Sequence, residues 1–127
     1  MMSRRKKTRE RRRHKRFRVQ EGTFAVFGGR PGTVGPVIDI SMGGLAFRYT
    51  GTTELPKEPS RVHIVLPEGL SHLYGLPCTT VYDVELNTSS PFSPAAERRR
   101  GVQFGALTPN QRSHLEYFIQ YHTQGDA

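Results

Sequence analysis

Val34-Gly35-Pro36-Val37-Ile38-Asp39-Ile40-Ser41-Met42-Gly43-Gly44-Leu45-Ala46-Phe47-Arg48-Tyr49 reads as two apolar strands, 34–40 and 44–49, joined by a polar turn. Downstream of the turn, Leu45, Phe47 and Tyr49 alternate with Ala46 and Arg48, the period of a half-buried strand. Asp39 and Ser41 are two apart and so project to one side of an extended chain, with Ile40 and Met42 on the other, inward side. Gly43 and Gly44 let the backbone take a positive φ and let another surface approach closely. Two readings stand at this point. Asp39 or Ser41 caps its own turn, as these residues often do. Alternatively, a carboxylate and a hydroxyl beside a bare Gly-Gly form an acceptor-rich platform for a flat ligand carrying N–H donors.

Outward from this hinge the β pattern continues. Phe17, Val19, Phe24, Val26 and Phe27 suggest a first strand broken near Glu21-Gly22, followed by a turn over residues 28–32. A fourth strand over 61–66 alternates Val62, Ile64 and Leu66 with Arg61, His63 and Val65. A fifth runs over 76–86 and a sixth over 99–107, with Val102, Phe104 and Ala106 on one side. Residues 51–60 and 67–75 read as loops, and the serine- and proline-rich 87–97 as a mobile hairpin connection. A helix over 108–122 closes the chain: Thr108 is its N-cap, Pro109 suits its first position and Gln111 completes a capping box. Leu115, Phe118, Ile119 and His122 form its apolar stripe, and Tyr117 and Tyr121 are expected to pack on or rim the core. Six strands without intervening helices argue for a mainly β, antiparallel barrel or sandwich, with the helix over one opening or face. Closing the sheet into a barrel would remove its exposed edges.

Charge separates the chain into two parts. Of 19 basic residues, 11 lie in residues 1–18, beside a single acid, Glu10. The first 18 residues therefore carry +10 of a net +8, and the rest carries −2. The expected organisation is a disordered basic tail (1–8) and one domain over 9–124: an arm at 9–18, a barrel at 19–107 and a helix at 108–122. Such an arm seeks an anion. Within it Arg12 and Arg16 share a face in either conformation, about 13 Å apart in a strand or about 6 Å apart in a helical turn. Each offers a planar fork for phosphate or for the N7/O6 edge of guanine.

Several classes fall away. No window approaches the ~18 apolar residues needed to span a membrane, and the basic N-terminus has no apolar region behind it, so it does not read as a secretory signal. Cys78 is the single cysteine and lies in an apolar run, which excludes an internal disulfide, suits a reduced cytoplasm and reads as an inert core thiol. The chain does not read as an enzyme. His14, His63, His72, His114 and His122 lack metal-ligand spacing with Cys78, Ser41 has no evident base and Asp39 no second carboxylate at working distance. No metal and no cofactor is expected.

Three features stand in order: Arg12-x-x-x-Arg16 before the first strand, Asp39-x-Ser41-x-x-Gly44 between two early strands, and Gly101-Val102-Gln103-Phe104 leading into the capped helix. Over roughly residues 9–121 this resembles the PilZ domain family of bacterial cyclic di-GMP receptors. The resemblance implies a six-stranded antiparallel barrel with its helix at one end and a flexible arm that wraps over cyclic di-GMP on the barrel surface. It implies that Arg12 and Arg16 contact phosphate and guanine, that Asp39 and Ser41 accept from guanine N–H groups, and that Gly44, helped by Gly43, keeps the face low. Arg11 resembles the extra arginine of members that bind an intercalated ligand dimer. Arg13 and the arginines 98–100, Arg100 among them, are weaker candidates for phosphate. The implied role is a bacterial, cytoplasmic receptor or adaptor whose ordered arm offers a surface to a partner protein. The rival classes are a small barrel gripping nucleic acid nonspecifically, disfavoured by the −2 body, and a PilZ-like scaffold that works through protein contacts alone.

Overall fold

The strand that ends at the polar turn is also the one on which the sheet is assembled. The computed structural model describes residues 14–28, 32–51, 55, 58–67, 72–87 and 96–127. In it this strand is β3 (Thr33–Ile40), and it has three neighbours. Its first half pairs with β2 (Phe24–Phe27), from Phe24↔Pro36 to Phe27↔Thr33. Its last residues pair on the same edge with β1 (Phe17–Val19), as Phe17↔Ile40 and Arg18↔Asp39. The stretch expected to be one interrupted strand is therefore two strands laid end to end along β3. The interruption is ordered: the Thr23 N–H donates to the Gln20 carbonyl (3.1 Å) and the Val37 N–H to the Thr23 carbonyl (2.9 Å).

On the other edge β3 pairs with β4 (Gly44–Gly51). With β5 (Ser60–Val65), β6 (His72–Asn87) and β7 (Ala96–Phe104) the order is β2-β5-β6-β7-β4-β3, and the β2–β3 pairing closes a six-stranded antiparallel barrel. β6 begins at His72, inside the expected loop. Tyr74 and Gly75 together oppose His63, a bulge made possible by Gly75 at φ +59 and fastened by its N–H donating to His63 Nδ1 (2.9 Å). Of the 87–97 connection, residues 88–95 lie outside the described residues.

Strands pleat, so neighbours on β7 face opposite ways. Val102 and Phe104 face inward with Phe47, Ile40, Leu45, Val62, Ile64 and Leu76 in one core. Arg98 and Arg100 share that parity. Arg100 is fully buried, its Nη1 donating to Asp83 Oδ2 (2.7 Å) and its guanidinium 4.5 Å from the Phe27 ring. Arg98 Nε donates to Asp83 Oδ1 (2.8 Å), and the Tyr49 hydroxyl donates to Oδ2. Burial pushes the Asp83 carboxyl up, but the hydrogen bonds from Tyr49, Arg98 and Arg100 outweigh it and hold the group below its ordinary range. Burial, then Asp83, pushes the Tyr49 hydroxyl up. Burial also pushes the Cys78 thiol up to about 11, which keeps it an unreactive thiol.

The helix α1 (Pro109–Tyr121) starts at the expected cap, with both halves of the Thr108–Gln111 capping box formed. Its Leu115 and Phe118 join the barrel core, each contributing about 1.5–3 kcal/mol of burial. Gln111 Nε2 reaches the carbonyls of Tyr74 (3.4 Å) and Gly75 (3.3 Å), tying the helix to the β6 bulge. Tyr117 and Tyr121 do not pack on the core. They stack on each other at 4.6 Å on the exposed face. After the helix comes a strand the pattern did not predict, β8 (Thr123–Asp126), a polar segment without alternation. It is a strand because β1 offers it a free edge, Val19↔Thr123 to Phe17↔Asp126. The Ala127 N–H donating to the Arg16 carbonyl (3.0 Å) and a Lys15–Asp126 ion pair (3.2 Å) extend the contact.

Candidate functional site

The turn after β3 is built by Ser41. Its N–H donates to the Gly44 carbonyl (2.8 Å), and its Oγ accepts from the Gly43 N–H (3.0 Å). Ser41 thus caps its own turn, while Asp39 does not. Neither Gly43 nor Gly44 has a positive φ; they are needed for close approach. A Cβ on Gly44 would lie 2.1 Å from the Val102 carbonyl oxygen of β7, and one on Gly43 would lie 2.6 Å from the His14 ring. One glycine admits the neighbouring strand and the other admits the arm.

Pairing with β3 places the residues just before β1 over the same turn. Arg16 Nη1 donates to Asp39 Oδ1 at 2.8 Å, so the second arginine of Arg12-x-x-x-Arg16 meets the acid of Asp39-x-Ser41-x-x-Gly44 directly. The pair is only part-sealed: the Asp39 side chain is 9% exposed and that of Arg16 30%. Arg16 Nε is buried and finds no acceptor among the described residues. Such an orphan donor carries a desolvation cost of about 1–3 kcal/mol, relieved by any arrangement that supplies an oxygen or ring nitrogen.

A second arginine reaches Asp39 from behind. Arg99 Nη2 lies 3.6 Å from Asp39 Oδ2, while its Nε donates to the Tyr82 hydroxyl (2.9 Å). Asp39, Ala46, Gly101 and Tyr82 are successive register partners across β3, β4, β7 and β6. The Tyr82 ring lies on Gly101, where a Cβ would sit 2.2 Å from it. This row forms the outer wall of the site. Next to it runs a groove of about 490 Å³. His14, Arg16, Ser41, Met42, Gly43 and Gly44 contribute to its lining, together with Val81, Gln103, Gly105, Leu107 and Arg112 among others. Among the described residues no carboxylate lines it.

Of the residues singled out in the sequence, Arg16, Asp39, Ser41, Gly43 and Gly44 come together here. Arg11, Arg12 and Arg13 lie outside the described residues. Arg100 is not at the site: the pleat of β7 turns it into the barrel, onto Asp83. Its neighbour Arg99 is the one that faces the site. The signal was available, since reading Val102 and Phe104 as inward also places 98 and 100 inward and 99 outward. From Phe17 onward the arm is tied down through β1, which pairs with β3 and β8. The arrangement offers a buried acceptor, Asp39, beside a fork of donors with capacity to spare, Arg16. It suits recognition of a ligand with both N–H donors and anionic or ring-nitrogen acceptors.

Among the described residues no group of three or more His, Cys, Asp or Glu is placed to hold a metal ion. No helix among them is long and apolar enough to cross a membrane. The PilZ domain family model matches residues 10–121. Similar solved structures include the PilZ domain with c-di-GMP of YcgR from Escherichia coli, 15% identical with a TM-score of 0.64, covering 87% of this chain and 89% of that one. The K. pneumonia MrkH–c-di-GMP complex is 17% identical with a TM-score of 0.65, covering 86% of this chain and 51% of that one. The Bacillus subtilis inhibitor of motility MotI/DgrA is 18% identical with a TM-score of 0.60, covering 87% and 50%. The chain thus spans nearly all of the YcgR domain but about half of the two longer proteins. None of the curated proteins matches the sequence.

Proposed function

The chain belongs to the PilZ domain family, and on that premise we propose that it is a receptor for cyclic di-GMP that works by binding and not by catalysis. The observation that carries this reading is the Arg16–Asp39 contact at 2.8 Å, which joins the two short motifs at the edge of an anion-friendly groove. Structures that share the fold were solved with c-di-GMP, which supports the ligand class.

The chemistry is one of partner exchange. Guanine presents N–H donors on one edge and the acceptors O6 and N7 on another. Asp39 is paired with Arg16 and faced by Arg99. A guanine edge donating to Asp39 replaces Arg16 and frees its fork, including the orphan Nε, for O6/N7 or a phosphate oxygen. Ser41 holds the turn in shape and leaves its remaining lone pair for the ligand. Arg12 would add a second fork from the arm, with Arg11 and Arg13 as further cations when a ligand dimer is bound. The upper arm then orders over the ligand and offers a new surface to a partner protein in the bacterial cytoplasm.

Isothermal titration of the full chain at moderate and high salt tests this, with GMP and cyclic di-AMP as controls. The expected result is saturable, guanine-selective binding that an Arg16→Ala, Asp39→Ala double variant loses. Weak binding that treats all three nucleotides alike and disappears with salt would instead leave a basic arm on a barrel, and nucleic acid would become the ligand to test.

A further inference from the structure

We infer that Arg112, with Gln103, forms a second anion subsite in the groove, taking the phosphodiester of cyclic di-GMP that Arg16 does not hold. The inference rests on the receptor reading above. A cyclic dinucleotide carries two phosphates on opposite sides of one ring, so a single cationic edge leaves one of them unmatched. Among the described residues two arginines line the groove: Arg16 from the arm and Arg112 from α1.

Three observations assign Arg112 this role. Its charge is uncommitted: whereas Arg16, Arg48, Arg98, Arg99 and Arg100 each lie within reach of an acid, Arg112 pairs with no carboxylate among the described residues. Its position does nothing for the helix. Arg112 lies in the first turn of α1, which carries no acid, and a cation there opposes the helix dipole. Its mount is rigid: Leu115 and Phe118 anchor α1 in the core, and Gln111, the preceding residue, is bonded to the β6 carbonyls. Gln103 stands directly across from Gly44 in the β4–β7 register and lines the same groove, with an exposed side chain able to donate to a phosphate oxygen. The two cations thus differ in kind, Arg16 being an exchangeable clamp and Arg112 a fixed post.

Titration of the full-length chain with cyclic di-GMP, comparing Arg112→Gln with Arg61→Gln, decides the matter. Arg61 is bonded to the Gly75 carbonyl and does not line the groove, so it controls for net charge. Loss of one charge-assisted phosphate contact predicts that Arg112→Gln weakens binding about tenfold or more, while Arg61→Gln stays within about twofold. Arg112→Lys, which keeps the charge but not the fork, should fall between wild type and Arg112→Gln and provides the readout should the Gln variant melt early. Wild-type binding with both Arg112 variants within about twofold of it would overturn the subsite and leave the receptor reading intact. Absence of wild-type binding would overturn both.

Discussion

Asp83 and Asp39 are each met by two arginines, and three of those four arginines lie on β7. Yet the two clusters do different things. Asp83 is sealed inside the barrel, with Arg98 and Arg100 on its two oxygens and Tyr49 completing the set. Asp39 lies on the outer wall, with Arg16 and Arg99 still 30% and 35% exposed. A buried carboxylate held by matched donors is costly to disturb, because removing it strands two cations away from water. A carboxylate at the rim can change partners, because water or a ligand can take over each bond as it breaks. Identical chemistry therefore gives a brace in one place and a switchable contact in the other, and the β pleat decides which by sending Arg98 and Arg100 inward and Arg99 outward.

The largest expected difference is in stability. Asp83→Ala should cost about 3–5 kcal/mol, a fall in Tm of roughly 10–20 °C by calorimetry, whereas Asp39→Ala should cost clearly less, because the part-exposed Arg16 and Arg99 it releases can turn to water. Equal losses would erase the distinction. Next comes acid sensitivity. The native Asp83 carboxyl is held below the ordinary 3.8, so its contribution is complete above that pH and is lost as pH falls through and beyond it. Thermal melts between about pH 6 and about pH 3 should show Tm dropping with acid in wild type and less steeply in Asp83→Asn. For ligand affinity the order reverses. Asp39→Ala should weaken cyclic di-GMP binding about thirtyfold or more, read by titration calorimetry. The smallest effect is predicted for Arg99→Ala, about threefold in affinity, because Arg99 approaches Asp39 only to 3.6 Å and Asp39 itself remains in place.

The barrel was legible because its strands alternate and its helix is doubly capped; both signals are local. The turn motif was legible for the same reason, whereas the direct contact of Arg16 with Asp39 is something neither motif states and only the β1–β3 pairing produces. What escaped was set by partners and not by the segment itself. Residues 123–126 have no strand pattern and become β8 only because β1 presents an open edge. Gly75 reads as a strand breaker but serves as the bulge that lets β6 continue. Tyr117 and Tyr121 look like core residues by composition, but the stripe of α1 that faces the barrel is filled by Leu115 and Phe118, which leaves the tyrosines outside. The resemblance offers the arginines 98–100 together as phosphate candidates; parity with Val102 and Phe104 turns Arg100 inward and leaves Arg99 facing the site.

The central claim is that the outer cluster exchanges partners on binding and the inner one does not. The most direct measurement is the NMR spectrum of the arginine Nε–H groups during titration with cyclic di-GMP. The account predicts that the Arg16 Nε–H resonance shifts strongly as it gains an acceptor, while those of Arg98 and Arg100 stay in place to saturation. A saturated complex in which Arg16 is unmoved, or in which Arg98 and Arg100 move with it, would contradict the account.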